Sequence, residues 1–215
     1  MAPEQLLFVR HAETVANRER RWQGQRHDGE ITPRGYRQIE AVARRLADLR
    51  GSVAALYTSP LRRALETAQA IGQALDLSPI VEPGFREIDF GQLDSLTSQE
   101  IRDRHPAFFA AWQRRDNLDL TWPGGERRLD FHRRVRAALE RVLNRHNGSR
   151  VVIVAHGGTI WAGLCHLLHW SIEASVPPYF INCSLTRLRH DPLWGWRLLT
   201  LNEACHLEGL VDDLL

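Results

Sequence analysis

Short unbroken apolar runs, separated by stretches of helical periodicity, set the plan of this chain. Leu6-Leu7-Phe8-Val9 leads into Arg10-His11, Val53 to Tyr57 into Thr58-Ser59-Pro60-Leu61-Arg62, and Val151 to Ala155 into His156-Gly157-Gly158. Runs of this length, bounded by Gly, Pro or polar residues, read as parallel strands buried on both faces. Between them, Ile39, Val42, Ala43, Leu46 and Leu49 recur at helical spacing. Thr32-Pro33 supplies an N-cap with Pro at the first helical position, and Gly51 stops the helix. Ser59-Pro60 repeats the start signal, with Leu61, Leu65, Ala68, Ile71 and Leu75 as the expected buried face.

The polar stretch from Glu13 to Glu30 has little periodicity and reads as a long loop that includes Trp22. Pro79-Ile80-Val81 predicts a short strand, and residues 97–115 one or two helices interrupted at Pro106. A helix is expected from about Glu126 to Asn144, with Phe131, Val135, Ala138, Leu139 and Val142 inward, and another from Gly158 to His169. Cys183 to Arg189 and Trp196 to Leu201 flank Asp191-Pro192 as a β-hairpin. Strands alternating with helices define an α/β class, and 215 residues fit one domain. The irregular region 79–124 reads as an insertion over the pocket mouth.

Composition changes this picture little. All 28 basic residues are Arg, yet the net charge is only +2, so nucleic acid is not an expected partner. No segment approaches the ~20 apolar residues of a membrane span, and the N-terminus lacks a signal-peptide pattern. Cys165, Cys183 and Cys205 are odd in number without metal-type spacing, which points to reduced thiols and a cytoplasmic location. His166 and His169, three apart on a helix, supply too few ligands for a metal, so neither metal nor cofactor is expected.

The chemistry lies at the strand ends. In open parallel sheets, ligands bind beyond the carboxyl ends of the strands. There Arg10, His11, Arg62 and His156 would converge, and cations from three separate strand ends would repel one another without an anion between them. Arg forks suit phosphate, and the Gly157-Gly158 junction offers free backbone N–H groups. A neutral imidazole can attack phosphorus, while a second, protonated imidazole adds positive charge. A carboxylic acid must then protonate the leaving oxygen. Glu13, Glu87, Asp89 and Glu126 are the candidates, and spacing alone does not choose among them.

The segments Leu7-Phe8-Val9-Arg10-His11-Ala12-Glu13-Thr14, Ile31-Thr32-Pro33-Arg34-Gly35, Ser59-Pro60-Leu61-Arg62-Arg63-Ala64, Arg86-Glu87-Ile88-Asp89-Phe90-Gly91 and Val154-Ala155-His156-Gly157-Gly158 resemble, in order, the motifs of the histidine phosphatase superfamily. Among its members the chain looks most like the small phosphatases, such as α-ribazole phosphatase and the fructose-2,6-bisphosphatase domain. The resemblance implies a phosphoglycerate mutase-like, three-layer α/β/α sandwich with a mostly parallel central sheet. It implies His11 as the phosphorylated nucleophile, Arg10, Arg62 and His156 as the phosphate pocket, and Glu87 as proton donor. Asn17 and the Gly157 backbone are implied near phosphate, and Gln23-Gly24 near the substrate. Ala12 stands where many members have Gly. Gln92-Leu93-Asp94-Ser95 and Gly125-Glu126-Arg127 depart from the family's rim.

The expected activity is metal-independent hydrolysis of a small phosphate ester through a phosphohistidine. A mutase and a phosphate-binding module are the alternatives. The expected partner is a small phosphorylated metabolite, with a homodimer expected by analogy alone.

Overall fold

The computed structural model describes residues 3–114, 116–173 and 177–211. Six strands form one sheet in the order β3-β2-β4-β1-β5-β6: β1 Gln5–Arg10, β2 Val53–Thr58, β3 Ile80–Val81, β4 Arg150–Ala155, β5 Leu185–Asp191 and β6 Gly195–Glu203. β1 to β4 are mutually parallel, and the β5–β6 hairpin is antiparallel to them. The mostly parallel sheet expected from the apolar runs is present.

Alternation along β1 divides the core. Leu6 and Phe8 pack on one face with Phe131, Val135, Ala138 and Leu139 of α6 (Arg128–Arg145) and with Ile160 and Leu164 of α7 (Gly157–Leu168). Leu7 and Val9 pack on the other face, against α2 (Pro33–Ala47) and α3 (Arg62–Leu75). The successive side chains of a strand point to opposite faces, so one run of four residues feeds both helical layers. α2 starts as predicted: the Thr32 hydroxyl accepts from the Gly35 N–H at 2.9 Å, an N-cap of about 1 kcal/mol. That hydroxyl also donates to Glu13 at 2.5 Å, tying the start of α2 to the loop after β1.

Two expectations are corrected. The 13–30 stretch contains a short helix, α1 (Val15–Arg18), closed by a Thr14–Asn17 capping box that a search for apolar periodicity passes over. The inward face of α3 is Arg63, Ala64, Thr67, Ala68, Ile71, Gly72 and Leu75, with Leu65 only half-buried. The helix begins at Arg62 and not at Ser59-Pro60, and two polar residues occupy its buried stripe. The helices expected over 97–115 are present as α4 (Ser98–Arg104) and α5 (Pro106–Gln113), and residues 88–122 build a small core of their own around Leu93, Ile101, Phe109, Leu120 and Trp122.

Beyond β6, Leu207 is buried with Leu210 and Val211 against the α2–α3 layer, and Gln38 donates to the Leu210 carbonyl at 2.8 Å. Asp212-Asp213 and the rest of the apolar tail lie outside the described residues. No helix among the described residues is long and apolar enough to cross a membrane.

Candidate active site

Parallel pairing aligns the carboxyl ends of three strands and carries the residues beyond them into one place. Arg10 pairs with Ala155 across β1 and β4, the His11 N–H donates to the Ala155 carbonyl at 2.9 Å, and the Ser59 N–H donates to the Val154 carbonyl at 3.1 Å. His11 and Ser59 are therefore fixed by sheet hydrogen bonds that continue past the strands, and His156 follows Ala155 directly at the start of α7. The two imidazole rings lie 5.1 Å apart between centroids, both buried.

The hydrogen bonds decide the tautomer of His11. Its Nδ1 lies 2.7 Å from the Ala12 carbonyl, which can only accept, so Nδ1 carries the proton and Nε2 the lone pair. Burial, then the charges of Arg63 and Arg10, hold the His11 pKa well below the usual imidazole value. The result is a neutral imidazole with an available Nε2. His156 contacts the Ser59 hydroxyl through Nε2 at 2.8 Å. Burial followed by Arg63, His11 and Arg10 keeps it well below 6.5 as well. Desolvation and two neighbouring guanidiniums thus oppose the positive charge that the sequence reading gives to the second imidazole.

The arginines correct the sequence reading. Arg10 donates through Nη1 to the Phe180 carbonyl, with its guanidinium over the Tyr179 ring at 5.5 Å. Arg62, expected in the pocket, is not brought there: its side chain is 60 % exposed and pairs with Glu66, one helical turn on, at 2.5 Å. Its neighbour Arg63 is 1 % exposed and exerts the largest charge effect on both imidazoles. Positions 63, 67 and 71 lie on the inward stripe of α3 while 62 and 66 face outward, which fixes the exchange. Arg63 donates to the Gly24 carbonyl at 2.8 Å and to Asp28 at 3.0 Å. The signal that could have found it is its place four residues before Thr67 and eight before Ile71.

Of the four candidate acids, the fold brings only Glu87 to the cluster. Glu87 Oε2 accepts from the Gly158 N–H at 3.0 Å and Oε1 from the Ile88 N–H at 2.9 Å. Burial raises its pKa against the opposing pull of those N–H groups, Arg63 and Arg10. Gly158 is required by this contact: a Cβ there would stand 2.4 Å from Glu87 Oε1. Glu13 is engaged by Thr32 and Arg34, Asp89 pairs with Arg26 at 3.0 Å, and Glu126 pairs with Arg134 at 2.7 Å.

Three buried nitrogens in the cluster have no partner: the Nε–H donors of Arg10 and Arg63, and His156 Nδ1. Orphaned donors of this kind are costly, and together they are suited to an anion. Gly157 lies beside them, where a Cβ would come only to 4.0 Å from Arg10 Nε.

The remaining sequence candidates frame this cluster. The Asn17 carboxamide oxygen accepts from Asn182 at 3.2 Å, and Asn182 also donates to the His11 carbonyl at 2.9 Å. Gln23 is buried, accepting from Thr14 at 2.8 Å. Gly24 supplies its carbonyl to Arg63, and its N–H donates to Asp94 at 3.0 Å. Asp94, in the departing 92–95 segment, thereby fixes the loop that holds Arg63. Sequence reasoning missed Arg63, Ser59, Asp94 and Asn182. Away from this site, Glu203, Cys205 and His206 come close enough to share an ion, but Glu203 is already paired with Arg45 at 2.9 Å and Arg187 at 3.2 Å.

Residues 6–204 match the model of histidine phosphatase superfamily branch 1. The chain belongs to this superfamily. A phosphoserine phosphatase 1 from Hydrogenobacter thermophilus is 31% identical over 208 residues, covering 94% of this chain and 93% of the relative. A bifunctional protein, Rv2228c of Mycobacterium tuberculosis, is 37% identical over 154 residues, 72% of this chain but 41% of the relative, so the matched region spans less than half of that longer protein. Bacillus stearothermophilus YhfR superposes with a TM-score of 0.83 at 30% identity, covering 94% of this chain and 98% of that one. The phosphoglycerate mutase-like fold expected from the motifs is the fold of this superfamily member.

Proposed function

We propose that this histidine phosphatase is a metal-independent phosphomonoesterase working through phospho-His11. The observation that carries the reading is the neutral His11 imidazole, its Nδ1 proton fixed on the Ala12 carbonyl, beside the unpartnered Nε–H groups of Arg10 and Arg63. In the first step Nε2 attacks phosphorus while the ester bond to the leaving oxygen breaks. Arg10, Arg63, His156 and the Gly157 N–H hold the equatorial oxygens, and protonated Glu87 gives its proton to the leaving alcohol. In the second step Glu87, now ionised, takes a proton from water as that water attacks the phosphohistidine, releasing phosphate and restoring both groups. Asn17, Gln23 and Gly24 act in this reading by positioning the His11 loop and Arg63.

The partner in this reading is a small phosphate ester. The location is the cytoplasm, supported by three free thiols. Cell fractionation checks the location. Wild-type and His11→Ala protein assayed with 4-nitrophenyl phosphate in EDTA test the chemistry. Loss of at least about 10³-fold in kcat/KM, with loss of the acid-labile phosphoenzyme, is expected. Comparable activity in His11→Ala would overturn the nucleophile. Glu87→Gln is expected to lose about 10²- to 10⁴-fold toward alkyl esters and less toward 4-nitrophenyl phosphate, whose leaving group needs little protonation.

A further inference from the structure

A cavity of about 680 Å³ opens beside Arg10, Gly157 and Gly158, far larger than a phosphoryl group requires. Its wall is aromatic and comes from separate parts of the chain. Trp112 stands on α5, Trp122 in the segment before α6, Phe131 on α6, Trp161 on α7, and Tyr179 and Phe180 lie before β5. The rings are braced from behind: Trp112 packs on Trp22 at 5.0 Å and Trp122 on Phe90 at 5.8 Å, so the wall is formed before a ligand arrives.

The charges on this wall are as informative as the rings. No carboxylate is among the described residues that line it, so an ammonium group there would have ring faces but no counter-ion, beside the positive charges of Arg10 and Arg128. Among the described residues its cations are Arg10, which serves the phosphate, and Arg128, which also donates to the Asn117 carbonyl at 2.9 Å. His132 is held at about 4 by burial and then by Arg128, so it is neutral near pH 7. A second phosphate would meet no cluster of donors comparable to the one around His11. Glu87, the proton donor of the phosphatase reading, accepts from the N–H of Gly158, and Gly158 itself lines the cavity.

Resting on the phosphatase reading above, we propose that the enzyme selects phosphate monoesters whose organic group is flat and apolar, an aryl or arylalkyl group laid against the Trp112–Trp161 wall. A small zwitterionic ester is a poor substrate, because the wall withdraws its charges from water and gives its ammonium no carboxylate partner. Burying one phenyl ring favours the arylalkyl ester by about 10- to 100-fold in kcat/KM, expressed mainly in KM.

The test compares 2-phenylethyl phosphate with O-phosphoserine, both with alkyl leaving groups that need the same acid. A preference of at least tenfold for 2-phenylethyl phosphate is expected in the wild type. In Trp112→Ala the ratio of the two kcat/KM values falls about tenfold, and Trp112→Phe recovers most of it. A merely structural role for Trp112 would lower both substrates together, leave the ratio fixed and overturn the proposal. A wild-type preference for phosphoserine would overturn it too, while leaving the phosphatase reading intact. Hydrolysis of neither ester, with no phosphate incorporated at His11, would overturn both.

Discussion

The floor of the pocket and its wall are built by opposite means. The floor follows directly from β1, β2 and β4: its polar groups are buried, and their backbones continue the hydrogen bonding of the sheet. Little movement is available to His11, Ser59 or His156. The wall is assembled from α5, α6, α7 and two connecting segments, and rests on the small core around Leu93, Ile101 and Phe109. The two meet where the Phe180 carbonyl accepts from Arg10 and the Gly158 N–H donates to Glu87. Preorganised donors on a rigid element stabilise charge without reorganisation during reaction. Aromatic surfaces on helices and loops discriminate substrates by burial.

The sharpest way to break this contrast lies within α3. Arg63→Ala is expected to lower kcat/KM by about 10²- to 10³-fold, as for other preorganised donors to developing charge, and Arg62→Ala by no more than about threefold. Steady-state kinetics on one phosphate ester checks both, with circular dichroism and Tm to confirm that each variant folds. Equal losses would return Arg62 to the pocket. Adjacent residues with opposite consequences would show that side-chain direction, and not proximity in sequence, defines the floor.

A smaller effect is expected where floor and wall meet. Gly158→Ala puts a methyl group 2.4 Å from Glu87 Oε1, so the carboxyl must leave its position over the Gly158 N–H. The expected loss is about 10- to 100-fold toward alkyl esters, because a displacement near 1 Å is costly to a proton donor. Competitive inhibition by inorganic phosphate separates this from damage to the phosphate cluster: its inhibition constant is expected to change far less than kcat/KM.

The mildest test is pH. His11 and His156 have folded pKa values below the unfolded 6.5, so the unfolded chain binds more protons as pH falls. Stability contributed by these neutral imidazoles is full above pH 6.5 and lost as pH drops toward their folded values, at up to ~1.4 kcal/mol per pH unit per proton. Glu87, raised above 4.5, has the opposite sign: its protonated form favours the folded state, and stability declines as pH rises through its folded pKa. The Tm of wild type is therefore expected to fall more steeply between pH 7 and 5 than that of His156→Asn. Glu87→Gln is expected to gain on wild type toward alkaline pH. Thermal melts at matched ionic strength check both slopes.

Much of the floor was legible in the chain because its backbone path is. An apolar run ending on Arg10-His11 or Ala155-His156 states where a buried strand stops and which residues come next. The inward face of α6 was legible for the same reason, since Phe131, Val135, Ala138, Leu139 and Val142 are all apolar. α3 was misread because apolar periodicity treats charge as exposed, and Arg63 and Thr67 are polar residues on an inward stripe. The choice of Glu87 over Glu13, Asp89 and Glu126 depended on which carboxyl reached the Gly158 N–H.

The order of strands and helices and the two histidines at the strand ends were determined by the amino-acid sequence, because periodicity and caps act over a few residues. Parallel register, which of two neighbouring arginines turns inward, the protonation of the imidazoles and the aromatic cavity were decided only by the tertiary structure. Each of those depends on groups far apart in the chain meeting in a region from which water has been removed, where a few ångströms change both charge and contact.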